Sequence, residues 1–127
     1  MSVIYTKNDN NIVTLCFEMA DRKANVLNQE FIKNFKEALN KLTQEKDLTG
    51  VILTSSKKDF IAGADLEMML AADEPSEIFA WLEDFKLAIR KLETLGVPVV
   101  AAINGSALGG GYEVALACHH RVILNNP

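Results

Sequence analysis

Two short loops in the sequence consist almost entirely of small residues, each at a point where an apolar strand-like run gives way to a helix-like pattern. The first reads Ala62-Gly63-Ala64-Asp65, and the second covers residues 104–111 and ends in Gly109-Gly110-Gly111. Small residues let a ligand approach the backbone, and the free N–H groups at a helix start attract negative charge. One N–H from each loop would form an oxyanion hole, which stabilises charge on a reacting carbonyl. The alternative, that the glycines only make tight turns, is favoured for Gly63 alone and disfavoured for three successive glycines.

Glu113 falls in the first turn of the helix predicted behind the second loop, so its carboxylate lies next to any ligand that the loop holds. A carboxylate in that place can act as a general base or a general acid. A surface glutamate that only stabilises the helix dipole fits the same position. Both interpretations of Glu113 stay open on the residues alone.

Other chemical motifs fail on their spacing. The glycine run is followed by Val114 where a dinucleotide-binding fingerprint needs a glycine, and no Gly-Lys-Ser/Thr of a phosphate loop occurs. His119 and His120 are neighbours whose imidazoles point in different directions in either a helix or a strand, without Cys or carboxylate partners. No metal site is therefore expected. Trp81 and the phenylalanines on helical stripes are interpreted as core residues.

The composition excludes several classes of protein. The chain has 127 residues, 49% of them hydrophobic, and a formal net charge of −4, which is typical of one globular domain. No basic excess is available to bind a nucleic-acid backbone. No apolar run reaches the roughly 18 residues of a membrane span, and the N-terminus lacks the apolar core of a signal peptide. Cys16 and Cys118 are far apart, which predicts free thiols in a reducing compartment and a cytoplasmic location.

The first half of the chain predicts a β-hairpin, a helix and a strand. Val3–Lys7 and Ile12–Phe17 are β-prone, and four turn-forming residues, 8–11, lie between them. Asn28 is placed to cap a helix. The apolar residues behind it recur at helical spacing and predict a buried stripe made of Phe31, Ile32, Phe35, Ala38, Leu39 and Leu42. The apolar run in Gly50–Ser55 predicts a strand that is covered on both faces.

The second half predicts three helices and two further strands. A short helix is expected up to Ala72, and a longer one from Pro75 to about Leu95. The longer helix carries a predicted buried stripe made of Ile78, Phe79, Leu82, Phe85, Ile89 and Leu92. Buried strands are expected at Val99–Ile103 and at residues 121–124, with a helix over residues 112–117 between them. Because strands alternate with helices, the predicted fold class is α/β with right-handed crossovers.

Residues 61–66 (IAGADL) and 102–118 (AINGSALGGGYEVALAC) resemble the two signature segments of a known family, in the same order and at the usual separation. Residues 22–28 (RKANVLN) also resemble the first CoA-facing loop of that family. By this resemblance the chain is identified as a member of the enoyl-CoA hydratase/isomerase (crotonase) superfamily over essentially its whole length. It is most similar to the hydratase module of the alpha subunits of bacterial multifunctional fatty-acid oxidation complexes, matching the N-terminal half of that module.

The resemblance implies a role for each matching residue. The N–H groups of Ala64 and Gly110 would form the oxyanion hole for a thioester carbonyl, and Glu113 matches the first of two catalytic glutamates. Arg22 or Lys23 would approach the CoA phosphates. The residues implied to contact CoA or the acyl chain are Ala24, Ala62, Gly63, Asp65, Leu66 and Gly109. The implied fold is crotonase-like, a ββα superhelix, and residues 1–127 would be the N-terminal part of one such domain, truncated before its C-terminal helices.

The implied reaction is hydration of trans-2-enoyl-CoA to 3-hydroxyacyl-CoA in fatty-acid β-oxidation. Hydratases of the family use a second glutamate about twenty residues beyond the first as an acid–base partner, and the 127 residues end before that position. The isolated chain is therefore expected to be inactive. An isomerase using Glu113 alone and an inactive acyl-CoA-binding or interaction module stay open as alternatives.

The expected ligand is an acyl-CoA thioester, so coenzyme A enters only as part of the substrate and no separate cofactor is expected. NAD would be needed only if a longer parent carried a dehydrogenase module. The resemblance also implies that such a parent forms a homo-oligomer or a thiolase-containing complex.

Overall fold

Five strands form one sheet in the computed structural model, which describes residues 2–63 and 74–125. The strands are β1 (Val3–Lys7), β2 (Ile12–Phe17), β3 (Gly50–Ser55), β4 (Val99–Ile103) and β5 (His120–Ile123), and the helices are α1 (Gln29–Thr43), α2 (Pro75–Glu93) and α3 (Gly110–Ala117). The strands lie in the order β1-β2-β3-β4-β5. β1 is antiparallel to β2, and the other three pairs are parallel with a helix in each connection. The predicted α/β class is therefore confirmed.

The hairpin and the first helix form as predicted, and an asparagine side chain stabilises each of them. The Asn8 side chain accepts hydrogen bonds from the N–H groups of Asn10 and Ile12 at 2.9 and 3.0 Å, which stabilises the turn between β1 and β2. The Asn28 Oδ1 atom accepts from the Phe31 N–H at 2.8 Å and caps α1. The buried residues of α1 are the six predicted from its helical spacing.

An aromatic cluster joins α1 to the sheet. The Phe17 ring, at the end of β2, lies 5.2 Å from the Phe31 ring, 6.0 Å from that of Phe35 and 5.6 Å from that of Phe60, measured between centroids. All four side chains are fully buried. Aromatic contacts at such distances add to the free energy of burial. The cluster therefore anchors the end of β2, α1 and the segment that follows β3 to one another.

Among residues 2–63 and 74–125, the sheet is fully covered on one face only. Val51 and Leu53 in β3 are buried, whereas Ile52 between them is half-buried and lies beside Thr14 and Val100 of the neighbouring strands. β4 alternates in the same way. The expectation that these apolar strands are covered on both faces is therefore wrong, because the described helices bury alternate positions and leave the second face half-exposed.

The N-terminal half of α2 differs from the prediction. The helix ends at Glu93, and its buried residues are Phe85, Ala88 and Leu92. Phe79 is 65% exposed and Leu82 is 48% exposed, although both lie on the predicted stripe. The polar contacts with α1 begin at Asp84, which pairs with Lys36, and continue to Lys91, which donates to Asn40. The first turns of α2 precede that contact region and are mostly exposed, although Ile78 is half-buried and Trp81, predicted as a core residue, is partly buried against the core.

Two further predictions need correction near the end of the chain. The helix α3 begins at Gly110, two residues earlier than predicted. β5 covers His120–Ile123 and all four of its residues are exposed, so the expected buried strand is wrong. Within the described residues β5 pairs only with β4, at the edge of the sheet, where apolar side chains have no second neighbour. The short helix expected up to Ala72 lies outside the described residues.

Candidate functional site

Three separate segments of the chain meet at the site that the two small-residue loops predict. The first segment is residues 24–27. Its Asn25 carbonyl accepts a hydrogen bond from the Ala62 N–H at 2.8 Å, and its Leu27 N–H donates one to the Gly63 carbonyl at 2.8 Å. The second segment, residues 60–63, contacts the third, residues 106–111: the Ser106 carbonyl accepts from the Phe60 N–H at 3.0 Å. Main-chain hydrogen bonds therefore tie the first loop to the second.

Gly63 lies directly against the second loop. Ile61 and Ala107 form a parallel β-bridge, and the Leu108 N–H donates to the Ile61 carbonyl at 3.1 Å. Gly63 has a φ of +105°, and a Cβ atom at this position would lie 3.3 Å from the Leu108 carbonyl oxygen. This conformation and this close approach both favour glycine. The predicted site residues Ala64, Asp65 and Leu66 follow Gly63 and lie outside the described residues.

The start of α3 presents an unpaired backbone donor. Gly109 is the N-cap, with φ +52° and ψ −119°, and no side chain caps the helix. Gly110 is the first helical residue, so its N–H has no partner within the helix. Among residues 2–63 and 74–125, no acceptor binds this N–H. The Gly110 N–H is therefore available to an anionic or carbonyl oxygen that reaches the helix start.

Two of the three successive glycines pack closely against other segments, and at Gly111 the packing requires glycine. A Cβ atom on Gly110 would collide with the Leu27 side chain and lie 3.5 Å from the Phe85 ring. A Cβ atom on Gly111 would lie 2.5 Å from the Ile61 carbonyl oxygen, a backbone atom that cannot move aside easily. The sequence interpretation offered ligand approach or tight turns as the reasons for these glycines. Close packing of α3 against Leu27 and Ile61 is a third reason, which the sequence did not reveal.

Glu113 lies on the exposed side of α3, one turn from Gly110. Its N–H donates to the Gly109 carbonyl at 3.1 Å. In the part of the chain that the structure describes, its carboxylate makes no hydrogen bond or ion pair. The residues beside it on the exposed side are the apolar Tyr112 and Leu116, which are 49% and 53% exposed. An exposed, unpaired carboxylate can accept or deliver a proton, and its position in the first turn also suits the helix dipole.

The other residues implied by the resemblance lie around the same junction. Ala24 and Ala62 are half-buried, and each is next to a residue that bonds the two segments together. Arg22 and Lys23 are exposed on the loop that leads to Ala24. The structure thus brings together the described candidates, Ala24, Ala62, Gly63, Gly109, Gly110 and Glu113, in one region.

Asn25 is the polar residue that sequence reasoning missed. It is fully buried, and its side-chain amide donates to the Phe17 carbonyl at 3.0 Å and to the Phe60 carbonyl at 3.2 Å. Its Oδ1 atom accepts from the Met19 N–H at 3.0 Å. In the sequence it lies between Ala24 and Val26 within the matched segment 22–28, but an asparagine in a loop does not by itself indicate burial.

Of the two adjacent histidines, His119 has a structural role. The His119 Nδ1 atom accepts from the Val99 N–H at 3.0 Å, and its Nε2 atom lies 3.0 Å from the Glu93 carbonyl oxygen. With Nδ1 as acceptor, Nε2 carries the proton and donates to that carbonyl. This ring therefore joins the end of α2 to the start of β4. No cluster of three metal-ligating side chains occurs among the described residues.

The two cysteines are free thiols, Cys16 half-buried and Cys118 buried. Burial raises the pKa of the Cys118 thiol to about 12, and burial likewise raises the pKa of Cys16. Thiols in such surroundings are protonated and unreactive near neutral pH. Neither belongs to the junction described above.

Comparison with known proteins decides the family. The sequence profile of the family described as enoyl-CoA hydratase/isomerase matches residues 8–127. The chain belongs to this family. It is 38% identical over 123 residues to a protein named fatty acid oxidation complex subunit alpha in Shewanella halifaxensis, and 38% identical over 118 residues to the protein of that name in Shewanella oneidensis. These alignments cover 96% and 92% of this chain and 17% of each relative.

Solved structures of family members share the fold. An enoyl-CoA hydratase from Bacillus anthracis is 29% identical and superposes with a TM-score of 0.88, covering 97% of this chain and 47% of that one. An enoyl-CoA hydratase from Mycobacterium smegmatis, 23% identical, superposes with a TM-score of 0.90 over 97% of this chain and 48% of that one. The crotonase-like fold is thereby confirmed, and the chain spans about half the length of these enzymes. No helix in the described parts combines the length and apolarity needed to cross a membrane.

Proposed function

We propose that residues 1–127 are the N-terminal part of a single crotonase-fold domain that hydrates trans-2-enoyl-CoA to 3-hydroxyacyl-CoA in fatty-acid β-oxidation. The observation that carries the proposal is the junction of the two loops, where Gly63 contacts Leu108 directly ahead of the unpaired Gly110 N–H. The family and the Shewanella relatives support the substrate class. The two free thiols support the reducing cytoplasm as the compartment.

The proposed chemistry depends on two backbone donors. When a nucleophile adds to the β-carbon of an enoyl thioester, negative charge develops on the carbonyl oxygen. The N–H of Gly110 and the N–H of Ala64, the residue after Gly63, would bind that oxygen. Loss of one such donor typically costs about 3–4 kcal/mol of transition-state stabilisation. Since backbone donors cannot be removed by changing a side chain, bulk at Ala64 is the useful probe, whereas bulk at Gly110 would also displace Leu27.

Glu113 is the proposed general acid or base. Its unpaired carboxylate follows Gly110 by one helical turn, which suits proton transfer at a carbon next to the bound carbonyl. Hydration in this family uses a second glutamate, and proton transfer between two carbons by Glu113 alone is the alternative, isomerase activity. The unpaired state of Glu113 in the described residues is compatible with both reactions.

The proposed acyl-CoA site follows the same junction. Ala24, Ala62 and Gly109 would offer backbone groups to CoA, with Gly63 between them. Asp65 and Leu66 would line the acyl and pantetheine path. The substrate would supply the CoA moiety, so the reaction needs no separate cofactor. NAD would enter only with a dehydrogenase module, and a homo-oligomer or a complex with a thiolase is the proposed assembly of a longer protein.

The test compares Glu113→Gln with Glu77→Gln in the protein translated from the complete reading frame. Glu77 is an exposed first-turn glutamate of α2, so its substitution is a matched control for the helix-dipole effect. Crotonyl-CoA hydration is followed by the loss of the enoyl-thioester absorbance. Glu113→Gln should lower kcat by about 10²–10⁴-fold while acyl-CoA binding is retained, because the amide keeps the shape but cannot transfer the proton. Glu77→Gln should leave kcat unchanged.

The other possible outcomes distinguish the alternative functions. Equal kcat for Glu113→Gln and the unmodified protein would remove Glu113 from the reaction and leave it a helix-dipole residue. Conversion of 3-enoyl-CoA to 2-enoyl-CoA without hydration, abolished by Glu113→Gln, would establish the isomerase instead. Neither activity with retained acyl-CoA binding would establish a binding module.

A further inference from the structure

We propose that Asn25 is a positioning residue for the oxyanion-binding loop. Its buried side-chain amide holds the backbone of residues 60–62 and thereby sets where the chain delivers the Ala64 N–H. The part of this inference that concerns Ala64 rests on the proposed function, whereas the part that concerns residues 60–62 rests on contacts in the described structure.

The Asn25 amide reaches every segment that leads into the loop. Its Nδ2 atom lies 3.0 Å from the Phe17 carbonyl oxygen, 2.9 Å from the Ser55 Oγ atom and 3.2 Å from the Phe60 carbonyl oxygen. Its Oδ1 atom accepts from the Met19 N–H at 3.0 Å. The two hydrogens on Nδ2 serve these three acceptors, so one side chain lies within hydrogen-bond distance of the ends of β2 and β3 and of the segment that continues to Gly63.

These partners also fix the orientation of the amide. An N–H group faces one end of the side chain, and two carbonyl oxygens face the other. A flipped amide would place its two donor hydrogens against the Met19 N–H and its oxygen against those carbonyls. Because Asn25 is fully buried, water cannot replace a lost partner. The side chain thus has one arrangement that satisfies the groups around it.

Main-chain hydrogen bonds link residues 60–62 to the segments that precede both proposed oxyanion donors. The Asn25 carbonyl accepts from the Ala62 N–H, two residues before Ala64. The Ile61 carbonyl accepts from the Leu108 N–H, two residues before Gly110. A shift of residues 60–62 would therefore displace the backbone that leads to both donors at once.

Ser55 extends the same network. Its Oγ atom accepts from the Asn25 amide at 2.9 Å and donates to the Asp59 carbonyl at 2.7 Å. Asp59 precedes Phe60 directly, and its carboxylate accepts from the Ser106 N–H at 3.1 Å. The segment that leads into the loop is therefore also held through Ser55 and Asp59, and Ser55 bonds directly to Asn25.

Asn25→Asp is the informative substitution, because it keeps the size of the side chain and replaces the donor group with an acceptor. The three acceptor atoms around Nδ2 would then face a carboxylate oxygen. Asn28→Asp is the matched control: it makes the same change three residues further on, where Asp caps α1 as well as Asn does.

The first measurement is residue-resolved amide hydrogen exchange on the 127-residue chain. In Asn25→Asp the N–H groups of Leu27, Ala62 and Leu108 should exchange on the order of tenfold faster relative to those of Phe35 and Leu39 in α1. Asn28→Asp should leave that ratio unchanged. If all five amides accelerate equally, Asn25 supports the fold in general and the proposal is wrong. If Asn25→Asp does not fold, hydrogen exchange in Ser55→Ala provides the same test. We expect a smaller acceleration there, confined to the N–H groups of Ala62 and Leu108.

The second measurement uses crotonyl-CoA with the protein from the complete reading frame. Asn25→Asp should lower kcat with little change in KM, because displaced oxyanion donors weaken binding of the transition state more than binding of the substrate. A raised KM with unchanged kcat would overturn the link to the oxyanion donors. Absence of any reaction in the unmodified protein would instead refute the proposed function, and the exchange ratios would still decide whether Asn25 positions the loop.

Discussion

Gly111 shows how a single missing Cβ atom sets the position of a helix. Its α-carbon faces the Ile61 carbonyl oxygen, and that carbonyl also accepts from the Leu108 N–H. The contact brings the start of α3 against the segment that leads to Gly63. A residue with no catalytic group can therefore control the geometry of the candidate site.

Gly111→Ala should destabilise the protein by about 1–3 kcal/mol, because the new methyl group must displace backbone. Gly50→Ala is the control, since its Cβ atom would lie 3.5 Å from the Pro98 carbonyl oxygen, an ordinary contact distance. The free energy of unfolding in urea measures both. Equal stability of the two variants would show that α3 shifts to accept the methyl group without cost.

The Cys118 thiol should make stability depend on alkaline pH. Burial raises its pKa from 9.0 to about 12. Below pH 9 the folded and unfolded thiols are both protonated, so the stabilisation is complete. Between pH 9 and 12 the unfolded thiol loses its proton while the folded one keeps it, so the free energy of unfolding should fall by up to about 1.4 kcal/mol per pH unit.

Urea unfolding between pH 8 and pH 11 checks this dependence, with Cys118→Ala as the comparison. The variant should lose stability less steeply with rising pH. Part of the slope should remain, because burial also raises the pKa of Tyr5, assisted by its hydrogen bond to Glu45. Identical slopes for the variant and the unmodified chain would contradict the assignment to Cys118.

At the scale of elements, α2 has two halves with different surroundings. Phe85, Ala88 and Leu92 in its C-terminal half are buried, and the Phe85 ring lies near Gly110 at the start of α3. Phe79, in the N-terminal half, is 65% exposed. The same helical stripe therefore packs along part of its length only.

Phe85→Ala should cost about 3–5 kcal/mol of unfolding free energy, the usual range for removal of a buried phenylalanine side chain. Phe79→Ala, the same substitution on the exposed half, should change it by no more than about 0.5 kcal/mol. Chemical denaturation of the two variants measures the difference. A large loss for Phe79→Ala would mean that its side chain is covered in solution.

At the scale of the whole molecule, the chain exposes many large apolar side chains near its end. Those at the start and on the outer side of α3 are Leu108, Tyr112 and Leu116, and those of β5 and its continuation are Val122, Ile123 and Leu124. Each is about half exposed or more. Apolar surface on this scale, beside an edge of β5 that pairs with no strand of the described residues, favours association with another surface.

The isolated chain should therefore self-associate, with a sedimentation coefficient that rises with protein concentration. Ile123→Lys should weaken the association, because a charge on the exposed edge opposes burial and strand pairing. Gln44→Lys, on the exposed polar end of α1, should have no effect. A compact, monodisperse monomer at high concentration would contradict the prediction.

The local pattern of the sequence was sufficient for the hairpin, for α1 with its cap and buried stripe, and for the strands β3 and β4. These features depend on residues that are close in the chain: the Asn8 and Asn28 side chains bond backbone groups two to four residues away. Hydrophobic periodicity records which side of an element is apolar. The family resemblance added the crotonase-like fold, which periodicity cannot supply.

Only the tertiary structure decided which apolar faces are covered and how the candidate site is held. Phe79 and Ile123 have the same apolar character as buried residues, and their exposure depends on which elements come to lie against them. The Asn25 amide bonds Phe60, 35 residues away, and Gly111 meets the Ile61 backbone, 50 residues away. Such contacts join segments that are distant in the chain, so no local pattern specifies them. They form because packing brings those segments together and leaves buried polar groups that must be paired.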